Sequence, residues 1–296
     1  MYSLSFDTLT YHTYRRPYAR MVDAPNLREI HDFLIDIAAE AGKVITTSLP
    51  RIDSTGSKKN SSDLVTEYDR AVETMVSQRL KAKYPTYEFH GEETYSPDRP
   101  LTEKPTFIVD PIDGTVNFVH GFPSSCISLG FAVNRKPLVG VVYNPFTDTL
   151  YSAIKGQGAF LDRDTPLPLK GNQLEALSGL EKALIALEWG SERSGSNWET
   201  KVRTFENLGK TPLNLCAVAS GTIDLYWEGG CWEWDVCAGW VILSEAGGLM
   251  AGGNKEDWDP AIDGRAYLAV RPSPNGQGQK EIVQELWSHI HGHLTY

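Results

Sequence analysis

The chain has 296 residues, and its 41% hydrophobic, 10% aromatic and 22% charged residues match a folded protein and exclude a disordered or fibrous one. The formal net charge of −10 makes general binding to nucleic-acid phosphates unfavourable, because such binding requires clusters of Lys and Arg. The four cysteines form no CxxC pair, the N-terminus lacks the charge pattern of a signal peptide, and no stretch approaches the roughly 20 apolar residues of a membrane span, so we expect a cytoplasmic protein with free thiols.

The first part of the chain predicts two helices. Residues 1–25 show no clear period and are expected to form an N-terminal extension. Apolar residues at helical spacing begin after Asn26, a plausible N-cap, and this helix is expected to end near Pro50. A turn-rich loop at 53–62 leads to a second helical pattern, which runs through 71–80.

Short β-prone runs follow, and we expect them to form an antiparallel meander, with strands at 107–110, 128–133, 138–144 and 149–154. The second half alternates strands and helices. Its predicted strands are 183–187, 223–227 and 266–270, and its predicted helices lie near 213–220, 235–246 and 279–289. This alternation indicates helices and sheets that pack in layers.

The segment DPIDGTVNF is the most informative, because its carboxylates Asp110 and Asp113 are expected to converge where a predicted strand ends. Mg²⁺ prefers oxygen ligands, and two Asp residues that flank the carbonyl of Ile112 can supply several. Gly114 and Thr115 would then place backbone N–H groups at a helix N-terminus, where phosphate binds readily. A bare DxxD is more often a solvated turn, but the nine-residue string is far more specific.

This string resembles the first signature of the inositol monophosphatase family, whose members are lithium-sensitive, magnesium-dependent phosphatases. The segment WDVCAGWVILSEAGG, Trp234–Gly248, is similar to the second signature, with Asp235 at the start of a predicted helix. Two shorter segments, DLVTEYD at 63–69 and GEET at 91–94, are similar to further family motifs. The resemblance runs from about 27 to about 270.

The resemblance implies an α+β fold, a layered αβαβα sandwich that is usually a homodimer. The sequences of these motifs are similar to those of a fungal branch of the family. We expect residues 26–296 to form a single domain, with possible lobes at 26–165 and 166–296.

The resemblance also implies particular site residues. A first Mg²⁺ would be held by Glu92, Asp110 and the carbonyl of Ile112, and a second by Asp110, Asp113 and Asp235, with two or three ions per site. Two nearby cations can activate a water and neutralise charge on the leaving oxygen. The implied catalytic residues are Asp63, Glu92 and Thr115, with Asp63 accepting a hydrogen bond from the threonine hydroxyl. The implied substrate contacts are Asp113, Gly114, Thr115, Glu228 and Asp235.

Several other residues near the motifs are expected to be structural. His90 and His120 flank the motifs, but an oxygen-rich ligand set suits Mg²⁺ better than a histidine-bound transition metal. Glu233 is expected to be solvated or to have a local partner, and Glu93 is a weaker candidate ligand beside Glu92. The core or a rigid pocket wall is expected to contain Trp227, Trp232 and Trp234.

The expected reaction is hydrolysis of an inositol monophosphate to inositol and phosphate. Histidinol-phosphate, sugar-phosphate and nucleotide phosphatases of the same superfamily remain alternatives, as does a non-catalytic relative that binds a metabolite. One departure from the family motifs lies in ENLGKTPLNLC at 206–216, where GKTP stands in place of the family's Gly-Ser-Ala-Ala. This departure would weaken substrate binding or subunit packing. The expected partner is a small phosphate monoester, not nucleic acid or membrane.

Overall fold

The computed structural model describes residues 24–47, 61–188, 194–208 and 215–296, with the side chains of 61–66, 172 and 205–208 left aside. The predicted N-terminal extension, the turn-rich loop at 53–62 and the departure around Gly209 to Pro212 lie largely outside these residues. The side chain of Asp63 is outside them as well.

The described residues form seven α-helices: α1 (Leu27–Thr47), α2 (Ser61–Lys83), α3 (Thr115–Val119), α4 (Gly195–Leu208), α5 (Leu215–Ser220), α6 (Glu233–Glu245) and α7 (Gln279–His289). Asn26 caps α1 as predicted, because its side-chain oxygen accepts a hydrogen bond from the backbone N–H of Glu29 (3.2 Å). Within this part of the chain, none of the helices combines the length and apolar composition that a membrane span requires.

The first sheet has seven strands in sequential order: β1 (Glu88–Gly91), β2 (Thr106–Asp113), β3 (Cys126–Val133), β4 (Lys136–Asn144), β5 (Thr149–Ile154), β6 (Ala159–Leu161) and β7 (Thr165–Pro166). β1 is parallel to β2, and every later pair is antiparallel. The predicted antiparallel meander is therefore confirmed.

The second sheet has four strands, β8 (Ile185–Glu188), β9 (Leu225–Gly229), β10 (Leu249–Gly252) and β11 (Ala266–Val270), in the order β10-β11-β9-β8. β8 and β9 are parallel, whereas the other two pairs are antiparallel. Short 3-10 turns lie at Gly171–Gln173, Leu180–Lys182 and Pro274–Gly276.

Five layers result from the packing of these elements. α1 and α2 cover the outer face of the first sheet, α5 and α6 lie between the two sheets, and α7 covers the outer face of the second sheet with α4 beside it. α6 contacts strands of both sheets, which explains why its sequence is apolar on nearly every side. The α+β αβαβα sandwich that the resemblance implied is the observed architecture.

Two glycines allow α6 to approach the first sheet closely. Gly130 and Gly140 lie opposite each other on β3 and β4. A Cβ atom at Gly140 would lie 2.3 Å from the carbonyl oxygen of Ala238, and one at Gly130 would lie 2.4 Å from Sγ of Cys237. The start of α6 is therefore held against the strands that carry the first signature.

Candidate active site

Asp110 and Asp113 reach the same place because β2 is irregular between them. In a regular strand, residues three apart point to opposite faces. The register of β2 on β3 shifts between Asp110 and Asp113, as in a bulge. Oδ1 of Asp110 accepts a hydrogen bond from the backbone N–H of Ile112 (3.0 Å), which holds the turn at Pro111. The bulge thus directs both carboxylates to one site.

Glu92 joins them from the neighbouring strand. Gly91 at the end of β1 lies opposite Val109 of β2 in parallel register, and the backbone N–H of Glu92 donates to the carbonyl of Val109 (3.2 Å). Glu92 is therefore the next residue beside Asp110. Burial raises the pKa of both carboxyl groups, and each lies close enough to affect the other.

Asp235 is supplied by the first turn of α6. Its Oδ2 accepts a hydrogen bond from the backbone N–H of Trp232 (2.6 Å). The hydroxyl of Ser128 donates to the carbonyl of Trp234 (3.0 Å), and Ser128 lies opposite Asp110 in the sheet. This contact fixes the start of the helix beside the Asp110 carboxylate.

One carboxylate oxygen from each of Asp110, Asp113 and Asp235 lies within 4.8 Å of the others. Burial raises the pKa of Asp110 well above its ordinary value, and the nearby carboxylates of Asp113, Glu92 and Asp235 raise it further. Burial likewise raises the pKa of Asp113 and Asp235. A cluster of oxygen ligands whose charges repel one another fits a hard divalent cation such as Mg²⁺.

Gly114 and Thr115 follow directly. α3 begins at Thr115, and Gly114 before it adopts a left-handed conformation (φ 81°). A Cβ atom at Gly114 would also lie 2.8 Å from the carbonyl oxygen of Ser124, so this position requires glycine. The Thr115 hydroxyl donates to the carbonyl of Ile112 (3.1 Å). Its predicted bond to Asp63 remains a prediction.

The sequence analysis missed Asp69, which is the last residue of the DLVTEYD segment. Its side chain is 2% exposed, and its Oδ2 has no hydrogen-bond partner among the described residues. Burial raises the pKa of Asp69 to about 7, and the carboxylates of Glu93 and Glu92 contribute to the shift. The motif itself was the available signal, but its spacing did not distinguish Asp69 from Asp63.

A cavity of about 160 Å³ opens beside the carboxylate cluster. Its wall contains Asp113, Asp235 and Glu228, and it also includes Glu188, Tyr226, Cys126 and Cys216. A larger cavity of about 630 Å³ lies along 88–106, but the described residues of the predicted site do not line it. The smaller cavity is therefore the candidate substrate pocket.

Glu228 is buried in this pocket wall, 7% exposed. The hydroxyl of Tyr226 donates a hydrogen bond to its Oε2. Burial raises the pKa of Glu228, whereas the Tyr226 hydrogen bond and the charge of Lys201 act in the opposite direction. Lys201 itself is held by the carbonyl of Gly229, to which its Nζ donates (3.0 Å).

Glu233 is not solvated, which corrects that part of the expectation. Its side chain is buried, and its Oε1 lies 2.6 Å from Nε2 of His90. The two residues link the end of β1 to the start of α6, so the partner is distant in sequence. Trp232 stacks on Trp234 at 5.1 Å between ring centroids, and Trp227 is fully buried, as predicted for wall and core residues.

Comparison with known proteins gives consistent matches. The chain matches the model of the inositol monophosphatase family over residues 26–291. It is 48% identical to inositol monophosphatase 2 of Saccharomyces cerevisiae over 257 residues, which cover 81% of this chain and 86% of the relative. It is 42% identical to inositol monophosphatase 1 of the same organism over 294 residues, which cover 92% and 99% of the two chains.

Solved structures give a similar result. The structure of an inositol monophosphatase from Anabaena (Nostoc) sp. superposes with a TM-score of 0.73 at 27% identity. The superposition covers 90% of this chain and 98% of the other.

Proposed function

The chain belongs to the inositol monophosphatase family and is a phosphoric monoester hydrolase, and on that basis we propose that it hydrolyses an inositol monophosphate to inositol and phosphate. The observation that carries this proposal is the carboxylate cluster beside a small cavity whose wall also contains Glu228. The cluster accounts for the phosphate-transfer end of a substrate, and Glu228 accounts for a hydroxyl-bearing end.

We propose that the reaction requires Mg²⁺, with two or three ions per site. Glu92, Asp110 and the carbonyl of Ile112 would hold one ion, and Asp110, Asp113 and Asp235 would hold a second. When bound, the ions would activate a water and neutralise charge on the leaving oxygen. The raised pKa of Glu92 and Asp110 supports this assignment, because a bound cation would offset the burial and mutual repulsion of their carboxylates.

The residues around the cluster would position the reactants. In this proposal the Thr115 hydroxyl orients the attacking water, Asp63 accepts from that hydroxyl, and Glu92 acts from the metal side. Asp113, Gly114, Thr115, Glu228 and Asp235 contact the substrate. Gly114 leads directly into α3, and its left-handed conformation and the nearby carbonyl of Ser124 favour glycine at this position.

A phosphate-release assay tests the proposal. The substrates are inositol 1-phosphate, histidinol phosphate, glucose 6-phosphate and adenosine monophosphate, each with and without Mg²⁺. We expect release that depends on Mg²⁺ and is fastest from inositol 1-phosphate. Faster release from another ester would favour the corresponding alternative, and no release from any would favour a non-catalytic relative. The resemblance to lithium-sensitive enzymes also implies inhibition by Li⁺ in this assay.

We propose in addition that the protein is a cytoplasmic homodimer, in which residues 26–296 form one domain and residues 1–25 an extension. Contacts of α6 with both sheets support the single domain. Light scattering after size exclusion would test the dimer, and limited proteolysis would test the domain, which should survive as one fragment.

A further inference from the structure

Glu188 is the last residue of β8, and Glu228 is the second-last residue of the neighbouring strand β9. β8 and β9 pair in parallel with Glu188 directly opposite Glu228. Neighbouring strands lie about 4.8 Å apart, and residues in register point to the same face. The two carboxyl groups are therefore side by side.

The alternation along the strands decides which face they share. Ala186 and Tyr226 pack in the core around α6, whereas Leu187 and Trp227 pack in the core beneath α7. Because side chains alternate between faces, Glu188 continues the row of Ala186 towards α6. This placement agrees with the cavity, whose wall contains Glu188 together with Glu228, Asp113 and Asp235.

The two glutamates differ in their protein partners. Glu228 accepts the hydroxyl of Tyr226 and lies near the charge of Lys201. No hydrogen bond or ion pair to the Glu188 carboxyl is present among the described residues. Glu188 is half-buried and lines the cavity, so its carboxyl group has hydrogen-bonding capacity that a ligand in the cavity can use.

The chemistry of Glu188 suits a neutral hydroxyl group. Burial raises the pKa of Glu188 to about 8, and the carboxylates of Glu228 and Asp113 add to the shift. With a proton the carboxyl group can both donate and accept a hydrogen bond, and without one it still accepts a hydrogen bond. An alcohol has the same two capacities.

We propose that Glu188 is a substrate-binding residue that, together with Glu228, holds hydroxyl groups of the polyol part of the phosphate ester. This inference rests on the proposed function, since it concerns the leaving-group end of the same pocket. Two carboxyl groups at this end also disfavour a substrate that carries a second phosphate or a carboxylate there.

The experiment compares two esters that differ in their hydroxyl groups. Inositol 1-phosphate presents a ring of hydroxyls, whereas p-nitrophenyl phosphate presents none. For Glu188→Ala we expect KM for inositol 1-phosphate to rise about tenfold, the effect of one lost hydrogen bond of about 1.4 kcal/mol. The kcat/KM for p-nitrophenyl phosphate should change less than about twofold. Glu188→Gln, which keeps a donor and an acceptor, should recover most of the affinity.

Glu181→Ala is the matched control, because Glu181 is an exposed glutamate in the 3-10 turn shortly before β8. It should leave both substrates unaffected. Equal losses on both esters in Glu188→Ala would assign Glu188 a purely structural role, and unchanged kinetics on both would likewise overturn the inference.

Failure of the proposed function has a different signature, namely that the wild-type protein releases no phosphate from either ester in Mg²⁺. Calorimetric titration of inositol 1-phosphate into the wild-type and Glu188→Ala proteins would then decide the inference. Weaker binding by the variant supports it, and equal behaviour overturns it.

Discussion

Asp110 and Asp235 lie in a crowded cluster of carboxyl groups, and burial together with neighbouring carboxylates raises the pKa of both. We expect Asp110→Asn and Asp235→Asn each to abolish phosphate release, because each removes a proposed metal ligand. The metal-free variants should melt at a higher temperature than the metal-free wild type, since an amide relieves the repulsion. Phosphate assays and thermal melts in EDTA measure the two effects. Asp259→Asn, at an exposed carboxylate, is the control, and full turnover by either site variant would contradict the assignment.

Thr115 offers a single hydroxyl whose position is fixed by the carbonyl of Ile112. We expect Thr115→Ala to lower kcat by about a hundredfold or more and to change KM little, because the proposed role is to orient water in the transition state. Thr115→Ser keeps the hydroxyl and should retain most of the rate. Steady-state kinetics on inositol 1-phosphate give both constants, and an unchanged kcat in the alanine variant would refute the role.

The sequence predicted the site residues that lie in compact motifs. It missed site residues that only the pairing of strands brings together. Asp110, Asp113 and Asp235 lie together, and Glu92 lies beside Asp110, while their roles stay a prediction. Glu188 was not predicted, because its position depends on its register with Glu228, about 40 residues further along the chain. A charged residue directly after the apolar run ALIAL was the only local signal.

Gly130 and Gly140 both lie where α6 contacts the first sheet, but they should differ in how well they tolerate an added Cβ atom. At Gly140 an added Cβ would meet the backbone of Ala238, whereas at Gly130 its nearest neighbour would be the Cys237 side chain. We expect Gly140→Ala to cost about 2–3 kcal/mol of unfolding free energy and to lower activity, because α6 must move and take Asp235 with it. Gly130→Ala should cost less.

Urea unfolding and phosphate release measure these losses. Adding Cys237→Ala to Gly130→Ala should recover part of the stability, since it removes the crowded sulfur atom. The same addition should not rescue Gly140→Ala. Equal losses in the two single variants would argue against close helix packing as their cause.

Two elements with strong local sequence patterns have the bounds that the sequence predicts. The strand at 266–270 and the helix at 279–289 match because a β-prone apolar run or a helical period specifies each of them. β1 was missed, since its four residues EFHG have no distinct period and become a strand by pairing with β2. The polar sequence of α4 and the short β10 were missed for similar reasons.

Carboxyl groups whose pKa is raised in the folded protein make the stability of the molecule depend on pH when no metal is bound. The folded protein keeps a proton on Asp69 up to about pH 7 and on Glu188 up to about pH 8, according to the raised pKa of each group. The unfolded chain releases these protons near a pKa of about 4. Between these values the folded state binds more protons than the unfolded state, so stability decreases as pH rises.

We therefore expect the melting temperature of the protein in EDTA to fall from about pH 5 to about pH 8. Glu188→Gln should flatten the upper part of this dependence. Saturating Mg²⁺ should raise the melting temperature, and more at the higher pH, because ionised ligands bind the cation. A melting temperature that increased with pH in EDTA would contradict the charge argument.

The order of the layers was predicted from the resemblance to the family. Composition and periodicity indicated that helices and sheets form layers, but they did not indicate the order of those layers. The order depends on α6, whose apolar residues face both sheets. A helix that is apolar on nearly every side predicts burial but does not specify its neighbours.

The four cysteines can report how often different regions of the protein open locally. All four are buried, and burial raises the pKa of Cys216 to about 12, so almost no thiolate is present at neutral pH. A thiol reagent can therefore modify the closed protein only slowly, and the labelling rate reports how often each region opens. Cys126 and Cys216 line the cavity, whereas Cys237 lies between helix and sheet. Comparing the labelling rates of these cysteines would distinguish local opening of the pocket from movement of α6 away from the first sheet.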